Sequence, residues 1–340
     1  MKKILKFIKH NVLGFIAGAV IFGSLGVYAA TVIAASSVAY SDNASLGATN
    51  VQDAIDKLNT KATIKIKEAE AKCPDGYKCL EIPKLCKRAT TLHTEKCTNE
   101  STVRYCRADG YELNGTITYG NLGTNGTLAS GDAFDCDVNG DGVYDAETER
   151  FYYVSDMTNG VTQDSNTAVL IYYNNVSGGL PSNSTSYAYD VNGNAYTNGP
   201  ITALPQLPTT SQWKNVSLIN VTRNITDEKN TVRKSAFSYE GYAARLLTVQ
   251  EVSAGCEVTV GSYTQGELSS KCKYLMENTK YSSSSLKTYG GWLESPRASG
   301  SNYAWYVYAN YRHVNSNNVG NANSDGVRPA IEVLKSNISY

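Results

Sequence analysis

Asp137, Asn139, Asp141 and Asp145 stand at the first, third, fifth and ninth places of an oxygen-rich loop, with Gly142 at the sixth. A calcium loop surrounds its ion in this way: hard oxygen ligands on alternate residues, a backbone carbonyl from the seventh, here Val143, and a glycine where the chain turns sharply. The twelfth place holds Thr148 instead of a bidentate Glu, with Glu147 and Glu149 beside it. The spacing therefore predicts a freestanding structural calcium loop built from Asp137, Asn139, Asp141, Val143 and Asp145. The alternative is an Asx-rich turn between strands, which uses the same residue types without a metal.

A second candidate is a run of Tyr and Asn between Ser299 and Asp325: Tyr303, Tyr306, Tyr308, Asn310, Tyr311, His313, Asn315 and Asn317. Tyr gives rigid contact area with a hydroxyl at its tip, and Asn gives adaptable hydrogen bonds, the mixture that paratopes use. These eight residues are predicted to bind a glycan or a protein; Tyr rings against a sugar face with Asn at the hydroxyls need no calcium. An ordinary polar loop meander is the alternative. Nothing points to an enzyme: His10, His93 and His313 are scattered, so neither a metal triad nor a Ser-His-Asp set assembles from the sequence. Glu294 and Glu332 could meet, but are expected to pair with Arg297, Arg328 or solvent.

Charge and cysteines constrain the setting. Lys+Arg and Asp+Glu both total 31, without the basic excess that a nucleic-acid partner requires. Lys2, Lys3, Lys6 and Lys9 precede an uncharged stretch from Val12 to Ala35, long enough to cross a bilayer and oriented with the N-terminus inside. Val27-Tyr28-Ala29 makes it equally readable as a signal peptide. Either way the body is exported: a single-pass membrane protein with an extracellular body, or a secreted one. All 8 cysteines follow this segment, which fits disulfides in an oxidising compartment. Cys256 and Cys272 are expected to pair; Cys73, Cys79, Cys86, Cys97, Cys106 and Cys136 leave their pairing open.

The organisation expected is an anchor or signal segment over residues 1–40, a linker and amphipathic helix over 41–72, a cysteine-rich stalk over 73–106 and a head over 107–340. From Thr49, a plausible N-cap, Val51, Ile55, Leu58, Ala62, Ile66 and Ala69 recur at helical spacing, a coiled-coil-like stripe. Residues 47–58 also resemble a repeat of phage tail fibres and bacterial surface stalks, which implies self-association, often as trimers. Strands are expected at Tyr111–Tyr119, Arg150–Ser155, Thr167–Tyr173 and Ala304–Ala309. A helix is expected near Thr248, where Thr248 and Glu251 have capping-box spacing, and a weaker one from Thr209 or Thr210. With 25 Tyr against 6 Phe, the composition suggests wet β surfaces.

Gly290-Gly291-Trp292-Leu293-Glu294-Ser295-Pro296-Arg297 and Gly326-Val327-Arg328-Pro329-Ala330-Ile331 resemble the C-type-lectin-like and formylglycine-generating-enzyme-like superfamily. Within it they are most similar to bacterial surface domains ending in Trp-x-x-Ser-Pro and Val-Arg-Pro-Ala, and Arg245-Leu246-Leu247-Thr248 matches their helix start. The resemblance covers roughly Tyr111 to Leu334 and implies an α+β body with a twisted antiparallel sheet, few helices and ligand-bearing loops. The cysteines of the formylglycine-generating relatives are missing after Cys272, as are the Glu-Pro-Asn, Gln-Pro-Asp and Trp-Asn-Asp triplets of calcium lectins. The Tyr and Asn stretch is placed like the variable region of diversity-generating retroelement targets. The resemblance thus implies a surface-displayed, adhesin-like binding protein; a structural subunit of a surface appendage or fibre is the alternative.

Overall fold

The computed structural model describes residues 83–96, 116–159, 162–182, 185–260, 266–267, 270–276, 290–308 and 313–340. They belong to the second of two compact units, Met1–Ile82 and Pro83–Tyr340. The apolar stretch, the helix after Thr49, Cys73, Cys79, Cys97 and Cys106, and Asn310 and Tyr311 lie outside the described residues.

In chain order the strands are β1 Cys86–Arg88, β2 Thr94–Lys96, β3 Thr116–Thr118, β4 Ala133–Cys136, β5 Arg150–Asn159, β6 Thr162–Tyr172, β7 Val176–Ser177, β8 Leu180–Pro181, β9 Thr222–Thr226, β10 Val232–Ser238, β11 Gly266–Glu267, β12 Gly290–Pro296, β13 Tyr303–Tyr308, β14 His313–Asn318, β15 Asp325–Gly326, β16 Ala330–Leu334 and β17 Ile338–Ser339. Among the described residues two short α-helices, α1 Ala195–Asn198 and α2 Val249–Cys256, interrupt them. The body is therefore mostly sheet, with curled antiparallel sheets and few helices. Among the described residues no helix is long and apolar enough to cross a membrane.

The larger sheet runs β16-β6-β5-β4-β1-β17. Its centre carries continuous apolar runs, Phe151-Tyr152-Tyr153-Val154 and Ala168-Val169-Leu170-Ile171-Tyr172, instead of an alternating pattern. Such runs suit strands covered on both faces. Phe151, Leu170 and Tyr172 enter one core cluster, and Tyr152, Val169 and Ile171 the other. β1, from within the cysteine-rich stretch, pairs with β4 and is tied to it by the Cys86–Cys136 disulfide.

The smaller sheet runs β11-β14-β13-β12-β15. α2 starts where its capping box closes: Thr248 Oγ1 accepts from the Glu251 amide at 3.1 Å and the Glu251 carboxylate accepts from the Thr248 amide at 2.9 Å. It ends at Glu257, whose φ of 57° is left-handed, and the Cys256–Cys272 disulfide anchors that end. The weaker helix expected from Thr209 or Thr210 does not form. Thr209 instead bridges to Tyr242, and the Thr209 amide and hydroxyl both bond Gln212, which closes a turn.

Candidate functional site

Directly opposed residues of antiparallel strands share a face. The β13–β14 register pairs Tyr306 with Asn315, Tyr308 with His313 and Ala304 with Asn317, so five of the eight expected contact residues lie on one face. Tyr303 does not. It falls on the opposite face with Trp305 and Val307, beneath the Arg297 guanidinium at 5.4 Å. Trp305 and Val307 enter one core and Tyr306 the other, so the strand is covered on both sides. Tyr308, His313, Asn315 and Asn317 remain half-exposed.

Aromatic rings form a row on this face, with Trp292 and Tyr306 centred 5.9 Å apart, Tyr306 and Tyr308 5.3 Å, and Tyr308 and His313 5.4 Å. Beside the row lies Asp325, which the sequence reading missed. Its Oδ2 accepts from Asn317 Nδ2 at 2.7 Å and from Ser324 Oγ at 2.8 Å. Three strand spacings of about 4.8 Å separate β14 from β15 in the strand order. A flat sheet would hold Asn317 and Asp325 too far apart to touch, so their contact shows that the sheet curls and that the Tyr and Asn face is its concave side.

Asp325 is fully buried and its Oδ1 has no hydrogen-bond partner among the described residues. Burial pushes its carboxyl up to about 7, against the pull of Asn317 and Ser324. A group raised in the folded state contributes stability that is complete below its unfolded value, about 4, and lost as pH rises through about 7. Asp325→Asn should therefore flatten the fall in stability between about pH 4 and 7, and exceed the parent by about 1–2 kcal/mol at pH 8. Urea midpoints of both proteins at pH 5 and 8 check this; parallel pH slopes would refute it.

Elsewhere in the body, the motif residues meet in a buried ion cluster. The Arg245 guanidinium grips Glu251 with two bonds, Nη2 to Oε1 at 2.6 Å and Nη1 to Oε2 at 2.9 Å, and reaches Glu332 Oε1 through Nε at 2.7 Å. Arg223 joins the same Glu332 oxygen at 3.1 Å and Glu294 Oε2 at 3.2 Å. The Ile219 and Asn220 amides donate to Glu332 Oε2, and Tyr239 Oη donates to Glu294 Oε1 at 2.8 Å. Glu294 and Glu332 thus meet through Arg223, not through Arg297 or Arg328, which corrects the expected pairing. Arg328 instead donates to the carbonyls of Tyr172, Tyr274 and Leu275 at 2.6–2.8 Å.

Two arginines face three glutamates, so one carboxylate is in excess. Burial pushes Glu294 up, and the two arginines pull it only partly back. Burial also acts on Glu251, but the charge and hydrogen bonds of Arg245 outweigh it and hold Glu251 below its ordinary value. Arg223 carried no motif in the sequence. Only its partners betray its role.

In the Asp137 loop, Asp137 Oδ1 accepts from the Gly140 and Asp141 amides at 2.9 and 3.0 Å, and Oδ2 from the Gly142 amide at 3.1 Å. Asp141 accepts from the Val143 amide, and from Asn139 Nδ2 at 3.1 Å. Asp145 turns to the Glu147 amide and the Thr148 hydroxyl. Glu149 turns inward to the Asn139 and Asp145 amides, both at 3.3 Å. Each of these carboxylates already accepts hydrogen bonds, the arrangement of an Asx turn. Among the described residues no three His, Cys, Asp or Glu side chains converge as a ligand set.

No family model, curated protein or solved structure matches the chain.

Proposed function

We propose that this chain is a non-enzymatic binding protein displayed at a bacterial surface, and that the concave Tyr and Asn face of the smaller sheet contacts a glycan or protein ligand. In this reading the body is C-type-lectin-like, and the segment from Val12 to Ala35 anchors it or is cleaved. One observation carries the reading: the β13–β14 register gathers Tyr308, His313, Asn315 and Asn317 half-exposed on one face, beside buried Tyr306. Rigid rings with amides at their edges make an adaptable, low-entropy contact surface.

The test is an array of glycans and host proteins probed with the full-length chain, with Tyr308→Ala and with Asn315→Ala. Each variant should lose about tenfold in affinity, equivalent to about 1.4 kcal/mol. No hits, or equal binding by all three proteins, would overturn the reading. Calcium at the Asp137 loop belongs to it as a structural ion held by Asp137, Asn139, Asp141, Asp145 and the Val143 carbonyl. Filling the loop would require these oxygens to exchange their amide contacts for the ion. In the same assay calcium should leave ligand binding unchanged while raising the melting temperature by about 2–4 °C per kcal/mol of ion binding. Identical melts with calcium and with chelator would exclude the ion.

A further inference from the structure

A cleft of about 470 Å³ opens on the larger sheet, and none of the described Tyr and Asn face residues lines it. We propose that it is a second binding site, for a neutral carbohydrate. Its volume lies within the roughly 300–1,000 Å³ of small-molecule sites. Its polar lining consists of two amides, three hydroxyls and two carboxylates: Asn121, Gln163, Ser130, Ser155, Tyr153, Asp156 and Glu257. Side-chain amides both donate and accept, hydroxyls do the same, and carboxylates accept two bonds at once. A ligand whose surface alternates O–H donors with oxygen acceptors satisfies such a set.

The backbone builds this cleft deliberately. The β5–β6 register slips between Tyr153 and Ser155 and again between Asp156 and Met157. Ser155 and Asp156 therefore sit between two irregularities, the device by which strands re-aim side chains at sites. One wall is the end of α2, which approaches β5 so closely that a methyl on Gly255 would overlap the Val154 carbonyl oxygen. The Cys256–Cys272 disulfide holds that wall in place.

Charge selects the ligand. Tyr153 Oη donates to Asp156 Oδ1 at 2.7 Å, and Lys335 Nζ reaches the same oxygen at 2.7 Å. Asp156 is thereby oriented and its charge offset, while Oδ2 accepts no hydrogen bond from the described residues. A neutralised carboxylate with one open oxygen suits a sugar hydroxyl better than an ammonium group. The carbonyl end of α2 disfavours anionic sugars.

The experiment is a glycan array of neutral, acidic and amino sugars probed with the full-length chain, Asp156→Asn, Gln163→Ala and Tyr308→Ala. At least one neutral glycan should bind the parent chain and lose about tenfold or more in both Asp156→Asn and Gln163→Ala. Gln163 is exposed, so its truncation tests the cleft even if Asp156→Asn melts early. A glycan lost in Tyr308→Ala but kept in Asp156→Asn and Gln163→Ala belongs to the sheet face, and if every neutral glycan that binds behaves in this way the cleft is overturned. Absence of any neutral glycan, or selection of amino or acidic sugars by the cleft, overturns it as well, and leaves protein binding at the face to its own array.

Discussion

Replacing Arg245 with Met should cost the protein about 3–5 kcal/mol of stability, because it removes one partner of a buried ion cluster and strands the others. Both Arg245 and Glu251 are fully buried, so no solvent is available to compensate. Glu251 would keep the Thr248 amide and a long contact from the Thr158 amide, and Glu332 would keep Arg223 and two backbone amides. Glu332→Gln should be nearly as costly, since Arg223 and Arg245 share one of its oxygens. Glu294→Gln should be mild, within about 1 kcal/mol. Its carboxyl is the one that burial pushes up, and an amide oxygen can still accept from Tyr239. The asymmetry is the signature of two cations holding three carboxylates. Urea unfolding of the three variants measures it; an Arg245→Met loss below about 1 kcal/mol, or equal losses at Glu294 and Glu332, would refute the assignment.

The cluster also explains why the motif residues were legible while their purpose was not. Arg245, Glu294, Arg328 and Glu332 lie in or beside the motifs that stand out in the chain. Sequence spacing carries no information about a partner some 70 to 110 positions away in a loop-rich fold, so Arg223 stayed invisible and Glu294 was expected to meet its near neighbour Arg297. Local signals fared better. The Thr248 and Glu251 spacing defines a cap because both partners lie within one turn, and the helix begins there. Tyr misled in the other direction. Tyr172, Tyr189 and Tyr239 are buried, because a hydroxyl that finds a carbonyl or carboxylate lets the ring serve as core. Tyr189 Oη bonds the Glu294 carbonyl and Tyr172 Oη the Thr148 carbonyl, both at 2.6 Å. Strand alternation places Tyr306 and Tyr308 on one face. It could not show that the sheet curls or that Asp325 closes against Asn317.

Removing the Cys256–Cys272 disulfide as the Cys256→Ala/Cys272→Ala pair should cost about 2–3 kcal/mol, since a loop of 16 residues carries a closure entropy near 3 kcal/mol in the unfolded chain. For a body of this size that corresponds to a drop in melting temperature of about 5–10 °C. The bond joins the end of α2 to residues 270–276, and that segment has other attachments. Arg328 donates to the Tyr274 and Leu275 carbonyls, both at 2.8 Å, and Ser130 Oγ lies 2.8 Å from Tyr274 Oη. These contacts predict how the loss is distributed. The Leu275 and Met276 amides should exchange with solvent faster, while the β5–β6 ladder keeps most of its protection. A uniform rise in exchange would mean that the disulfide acts only through the unfolded chain. An unchanged melting temperature would mean that Arg328 alone holds the segment, in which case Arg328→Ala must carry the whole effect. The cleft supplies an independent readout of the same wall: because Gly255 and Glu257 flank Cys256, the double alanine variant should weaken neutral-glycan binding even at temperatures where the body remains folded.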